Sequence, residues 1–252
     1  MLSETDAPQE TGREWLERAP FTLALGAGFF GFFAHTGVLA ALEEAGLRPA
    51  RIVGVSAGAL AGGLYAAGIA ARPLTELLLS IRKADFWDPG FPLGGLLKGR
   101  KFDALLRAAL VKRAIDSIED CPIPLTLVAA RPLTRRAVLL ERGPITSAIR
   151  ASCAVPFLFR PVRVDGRLLV DGGLADRSGL MAVDSSERVL HHQLPNRRPA
   201  RDESKTLSTE DRRVLTVPAI PAVDPDRLDA APAALATAKA ATERWLNGPQ
   251  RA

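Results

Sequence analysis

The sequence predicts an α/β protein: a three-layer sandwich with a largely parallel central sheet covered by helices on both faces. Three observations lead there. An apolar run, a glycine turn and a helix-patterned segment follow one another at residues 21–46, and the same succession returns at 51–70. Further apolar runs at 124–130, 136–142 and 167–173 alternate with helical patterns. The chain has 252 residues, 47% of them hydrophobic and 24% charged, enough for one domain that buries roughly three quarters of its unfolded surface.

Each element has its own signal. Residues 21–26 form the first strand, and "HTGVLAALEEAG", residues 35–46, carries Val38, Leu39 and Leu42 at helical spacing before closing on Gly46. "RIVGVS", 51–56, is a buried strand, and "AGALAGGLYAAGIA", 57–70, a small-residue helix packed closely against it. Helical patterns return at 73–83 and 102–118, separated by the Gly- and Pro-rich "WDPGFPLGGLLKG" loop. "PLTLVAA", "RAVLLER" and "RLLVDGG" are strands. From 185 to 213 the chain is polar apart from Val189-Leu190, which marks a surface excursion or a mobile segment. "VLTVPAI" adds an edge strand and "AAPAALATAKAATERWL" a closing helix.

Composition narrows the function. A net charge of +5 is dispersed, with pairs at Arg135-Arg136, Arg197-Arg198 and Arg212-Arg213 but no basic run of the kind that forms a nucleic-acid arm. A solvated basic surface, compatible with transient contact to an anionic membrane face, is the reading. Cys121 and Cys153 stand in no metal-ligand or redox spacing, which suits a reducing compartment. The first 20 residues read as a polar extension rather than a secretory signal, and no apolar stretch is long enough to span a bilayer. A cytoplasmic protein, peripheral to the inner membrane face at most, is expected.

Two glycine motifs bear on chemistry. Gly26, Gly28 and Gly31 have the G-x-G-x-x-G spacing of a dinucleotide cradle. A cradle of that kind requires an acidic residue at the end of the second strand, which here ends in Val55-Ser56; Glu43 and Glu44 fall within the preceding helix. The second motif, Gly54-Val55-Ser56-Ala57-Gly58, is G-x-S-x-G at a strand-to-helix turn, the context of a nucleophile elbow. Beside such a serine, the first loop serves as a bank of backbone N–H donors for an oxyanion.

The succession "GAGFFG…HTGVLAALEEAGL", "GVSAGALAGGLYAAG" and "ASCAVPFLFRPVRVDGRLLVDGG" over residues 21–175 resembles the patatin-like phospholipase family. The resemblance implies a Ser-Asp dyad acyl hydrolase without metal or organic cofactor, acting on phospholipids, lysophospholipids or related acyl esters. It assigns the oxyanion loop to Gly26, Ala27, Gly28, Phe29, Phe30 and Gly31, the nucleophile to Ser56, and the base to Asp171, followed by Gly172 and Gly173. It implies an acyl hydrolase domain over 21–252, with its motif-bearing core at 21–175.

Two positions depart from the family pattern. Ala27 replaces a glycine, which is harmless if its φ stays negative. Phe30 stands where the family has Arg or Lys, removing a cation expected to help an oxyanion or a phosphate head group. Phe29 and Phe30 are candidates for an acyl groove, Phe32 and Phe33 for core packing, and His35 for a helix-packing or capping role. Asp85, Phe86 and Trp87 read as a surface connection or a lid. Two other classes remain open: a Ser-Asp-His triad esterase using His191 or His192, and a weakly active lipid-binding protein.

Overall fold

The computed structural model describes residues 10–91, 94–195 and 210–249. Helix α1 (Gly12–Glu17) opens on a capping box in which Thr11 and Glu14 satisfy each other's backbone N–H groups. It lies inside the expected polar extension, yet its Trp15 is fully buried and meets Trp245 edge-on at 6.5 Å. Residues 12–17 therefore belong to the folded body.

Strand β1 (Thr22–Leu25) leads through the glycine loop into α2 (Phe32–Glu44), and β2 (Arg51–Val55) turns at once into α3 (Ala57–Ala66). The two strands are parallel and in register from Thr22 opposite Arg51 to Leu25 opposite Gly54. Both are apolar on both sides because both faces of the sheet are covered. Helices α4 (Ala71–Leu79), α5 (Lys83–Phe86) and α6 (Arg100–Leu110) follow. The helix expected over 102–118 stops at Leu110: residues 111–113 tighten into a 3-10 turn, and Ala114 takes a left-handed φ of 54° that an α-helix cannot continue through.

The middle of the chain supplies β3 (Leu125–Ala130), β4 (Ala137–Leu140), α7 (Ile145–Ser152), β5 (Val162–Val164) and β6 (Arg167–Asp171). Of these, α7 and β5 have no counterpart in the sequence reading. Strand β7 (Val189–Gln193), strand β8 (Arg212–Thr216) and helix α8 (Ala231–Asn247) complete the fold. The eight strands run β5-β6-β3-β2-β1-β7-β8, with β4 also paired to β3. The five from β3 to β8 along that path are mutually parallel; β4, β5 and β6 join antiparallel.

One expectation fails here. Within the supposed surface excursion at 185–213, Val189–Gln193 is a strand held between β1 and β8, and Val189 to His192 are all buried. The polar letters of "VLHHQ" hide an interior strand because its histidines are neutral and enclosed. Residues 196–209 of that stretch, including Arg197-Arg198, lie outside the described residues.

The main core lies between the sheet and α2, α3, α4, α7 and α8. Helix α8 lies directly on α2, since a Cβ at Gly37 would strike the Leu235 carbonyl. The other face is covered by the segment after β6, whose 3-10 turns at Gly172–Leu174 and Leu180–Ala182 close over Val53, Val55 and Val128.

Candidate active site

The sheet itself brings the two candidate residues together. Along one edge of β3, Val128 faces Val55, the last residue of β2, and the next residue, Ala129, faces Asp171, the last residue of β6. Strand β6 thus takes over the edge of β3 where β2 leaves it, so Ser56 and Asp171 emerge side by side. Ser56 Oγ donates to Asp171 Oδ2 at 2.6 Å.

Ser56 sits at φ 54°, ψ −112°, a conformation that L-residues avoid. The surroundings impose it. A Cβ on Gly54 would lie 2.7 Å from the Gly58 carbonyl, and one on Gly58 would strike the Leu25 carbonyl. Only glycines at these two positions let α3 start this close to β1 and β2. The nucleophile backbone is clamped from α7: Ser152 Oγ accepts the Ser56 N–H at 2.9 Å and donates to the Val128 carbonyl at 2.6 Å. The Cys153 thiol donates to the Ser56 carbonyl at 3.1 Å, and burial lifts that thiol well above its ordinary pKa, so it stays protonated. Neither residue was singled out by chemistry in the sequence; both lie in the "AS-x-A-x-P" segment that carries part of the family resemblance.

Asp171 is buried, and that burial raises its carboxyl from 3.8 to about 6 against the opposing effects of the Ser56 hydroxyl, the Gly173 N–H and the Arg177 charge. Gly173 N–H donates to Oδ1 at 2.8 Å, leaving Oδ2 for the serine. Gly172 has no room for a side chain, because a Cβ there would strike the Val128 carbonyl.

The glycine loop has a division of labour that its letters do not reveal. Gly26 N–H donates to the His192 carbonyl, Ala27 N–H to the Arg177 carbonyl at 2.7 Å, and Gly31 N–H back to Gly28. Those three of the six loop candidates hold the loop and have no free N–H for an oxyanion. Gly28 and Phe29 donate to nothing among the described residues, and both line the cavity that contains Ser56. Ala27 keeps a negative φ, as its substitution for glycine requires, whereas Phe30 takes the positive φ of 55°.

Behind the loop lies a buried histidine pair. His35 Nε2 meets the Gly26 carbonyl at 2.8 Å and His35 Nδ1 meets His192 Nδ1 at 2.7 Å. A carbonyl only accepts, so His35 carries its proton on Nε2 and His192 donates from Nδ1. Burial holds His35 down to about 4 and His192 well below its ordinary value, so both are neutral. His191 is likewise buried and lowered to about 4. All three histidines of the chain thus stand behind the loop, and none hydrogen-bonds to Ser56 or Asp171. The order Ser56, Asp171, His191 or His192 that suggested a triad is not matched by contact. His35 supports the loop rather than capping a helix.

On the open side, Ser56 faces an apolar cavity. Phe29, Phe30, Phe32, Phe86, Leu105 and Phe159 are among its walls. Phe30 is its hub, with ring centroids 4.9 Å from Phe29, 5.5 Å from Phe32 and 5.8 Å from Phe86. Phe33 is core, as expected, while Phe32 serves both core and cavity. Phe86 and Trp87 are cavity wall rather than a plain surface connection. The cation absent at position 30 has a neighbour: Arg177, six residues past Asp171, reaches the loop with Nη2 3.4 Å from the Ala27 carbonyl and acts electrostatically on Asp171. No cluster of metal-binding side chains occurs among the described residues, and no helix there is long and apolar enough to cross a membrane.

The mainly parallel sheet covered on both faces is a fold shared with two solved structures. VipD from Legionella pneumophila superposes with a TM-score of 0.60 at 13% identity, covering 98% of this chain and 70% of VipD. The type III effector ExoU gives 0.52 at 15% identity, covering 90% of this chain and 53% of ExoU. The chain belongs to the patatin-like phospholipase family, whose model matches residues 23–184. An uncharacterized NTE family protein of Mycobacterium tuberculosis is 39% identical over 160 residues, 61% of this chain and 42% of the relative. The lysophospholipase nte1 of Emericella nidulans is 31% identical over 161 residues, 61% of this chain and 10% of its own length. The chain thus spans less than half the length of these curated relatives.

Proposed function

We propose that the protein is a lipid acyl hydrolase that cleaves carboxylic esters of phospholipids, lysophospholipids or related acyl lipids through a Ser56-Asp171 dyad. The observation that carries this reading is the 2.6 Å hydrogen bond from a strained, cavity-facing serine hydroxyl to a buried carboxylate. Membership of the family and likeness to a lysophospholipase support the choice of lipid.

In this reading the acyl chain lies among the phenylalanines, placing its carbonyl carbon over Ser56. Asp171 takes the hydroxyl proton as Oγ attacks, and the free N–H groups of Gly28 and Phe29 hold the oxygen that becomes negative. Collapse of the tetrahedral intermediate returns that proton to the departing alcohol. Water, deprotonated by Asp171, then releases the fatty acid from the acyl-serine. A carboxyl near 6 is a far better base than a solvated one, and burial supplies the difference. The base must be ionised, so kcat/KM is expected to rise with pH along an acid limb centred near 6.

The test is labelling with a fluorophosphonate probe, followed by peptide mapping. The adduct is expected on Ser56, forming along the same acid limb. An adduct on another serine, or none in a chain that hydrolyses esters, would overturn the assignment.

Arg177 replaces the missing loop cation in this scheme. Arg177→Gln is expected to lower turnover about tenfold, and Arg177→Lys to restore part of it. Removing the positive charge also removes an influence that lowers the Asp171 pKa, so the acid limb should move upward in the Gln variant. An unshifted pH profile would show that Arg177 only braces the loop.

A further inference from the structure

We propose that the rim beside the cavity mouth is a docking face for an anionic phospholipid surface, with Phe91, Leu96, Phe157 and Leu174 as its apolar tips and Arg131, Arg135, Arg136, Arg163 and Arg167 as its phosphate contacts. The proposal deepens the acyl hydrolase reading by naming how a substrate held in a bilayer meets the site.

The apolar part begins with Phe157. The residue is 91% exposed and its φ is 67°, so a bulky aromatic residue is held in left-handed backbone with little packing in return. The segment around it has two faces. Val155, Leu158 and Phe159 line the cavity that holds Ser56, while Pro156 and Phe157 line an outer groove with Leu96 and Leu174. One short stretch therefore separates the active cavity from the outer apolar surface.

Neighbouring loops are tied to it. Leu96 N–H donates to the Phe157 carbonyl at 3.0 Å, and Arg160 Nη2 donates to the Phe91 carbonyl at 2.7 Å. Phe91 is 75% exposed. Large apolar groups gathered on one outer face mark an interaction surface.

The charged part follows from topology. The turn at 131–136 leaves the carboxyl end of β3, the end at which Ser56 and Asp171 emerge. Strand β6 runs antiparallel to β3, so its start, and the β5–β6 turn before it, project from that same end. The stretches 131–136 and 160–168 contain six arginines and a single carboxylate, Asp165. Arg160 anchors the Phe91 loop; the other five arginines are exposed. Apolar tips beside an excess of exposed guanidinium groups are complementary to a bilayer with anionic head groups, which offers hydrocarbon and phosphate within a few ångströms of depth.

The experiment is co-sedimentation of the full chain, carrying Ser56→Ala so that the lipid is not consumed, with phosphatidylcholine vesicles with and without phosphatidylglycerol. Binding is expected on the anionic vesicles and is expected to weaken with salt. Phe91→Asp with Phe157→Asp should reduce it at least about tenfold, and Arg135→Glu, Arg163→Glu and Arg167→Glu together by a similar factor. Aspartate tolerates left-handed backbone, so the first variant retains its fold. In the Ser56 background, both sets should hydrolyse a soluble short-chain ester at the wild-type rate.

Equal binding by the variants, or no binding to anionic vesicles, as a protein-specific surface would give, overturns the docking face. Anionic binding lost in both variants, in a chain that cleaves no ester, supports the face and rejects the hydrolase reading alone.

Discussion

Ser56→Gly is expected to lower ester hydrolysis at least about a thousandfold while leaving the folded protein more stable than the wild type. The activity loss follows because, among the described residues, the hydroxyl and thiol nearest the elbow cannot replace Oγ: Ser152 is occupied by two backbone bonds, and the Cys153 thiol is held protonated. The gain in stability comes from the backbone. At φ 54°, ψ −112°, a Cβ-bearing residue is strained by roughly 1–3 kcal/mol, and glycine is not. Against that stands about 0.4–1 kcal/mol for the greater freedom of glycine in the unfolded chain, so a net gain of about 1 kcal/mol remains. Ser56→Ala separates the two effects: it should be equally inactive but keep the strain. Paired thermal melts and ester assays decide the matter. If more than about a tenth of the activity survives in either variant, Ser56 is not the nucleophile. If the two variants melt together, the strain at the elbow is no larger than the roughly 0.4–1 kcal/mol that glycine loses through the unfolded chain.

Asp171→Asn is expected to lower kcat at least about a hundredfold with little change in KM, since the amide keeps the shape of the carboxyl but cannot take a proton. It should also stabilise the protein above pH 6. The folded-state pKa is raised from 3.8 to about 6, so folding is favoured by the protonated form and the cost of the buried charge grows as pH rises through that window. A rise of that size corresponds to about 3 kcal/mol at most, fully present above pH 6 and absent below about 4. Urea unfolding of both proteins at pH 4 and pH 8 should therefore show a difference only at the higher pH. A near-silent Asp171→Asn variant would exclude the carboxylate as base. Removing His191 and His192 together is a poor test of a Ser-Asp-His triad. Both are buried, and His192 is hydrogen-bonded to His35, so the double alanine variant would disturb the loop support whatever the mechanism.

What the sequence made legible was the part governed by local rules. The strand, glycine loop and helix at 21–46, the elbow at Ser56 and the strand ending in Asp171 follow from apolar spacing and from glycines with a steric task. What it concealed depends on partners distant along the chain. Strand β7 was missed because "HHQ" looks solvent-facing until His35 is placed against His192. Trp15 looked like part of a polar tail until Trp245 was beside it. The loop was found, but not which of its N–H groups are free, since that depends on carbonyls at Arg177 and His192. Arg177 could have been suspected as a cation close after Asp171, but nothing in its spacing says that it reaches the glycine loop.

The position of β7 has a practical consequence for anyone dividing this chain. The family match ends at residue 184, and β7, β8 and α8 come after it. Yet β7 forms the second edge of β1, the strand from which the glycine loop springs, and α8 covers α2. A fragment cut at that limit would present the backbone of β1 as an open sheet margin and the apolar side of α2 to water, both of which invite self-association. The stretch recognised by resemblance is thus shorter than the unit that must fold, and an expression boundary belongs beyond α8.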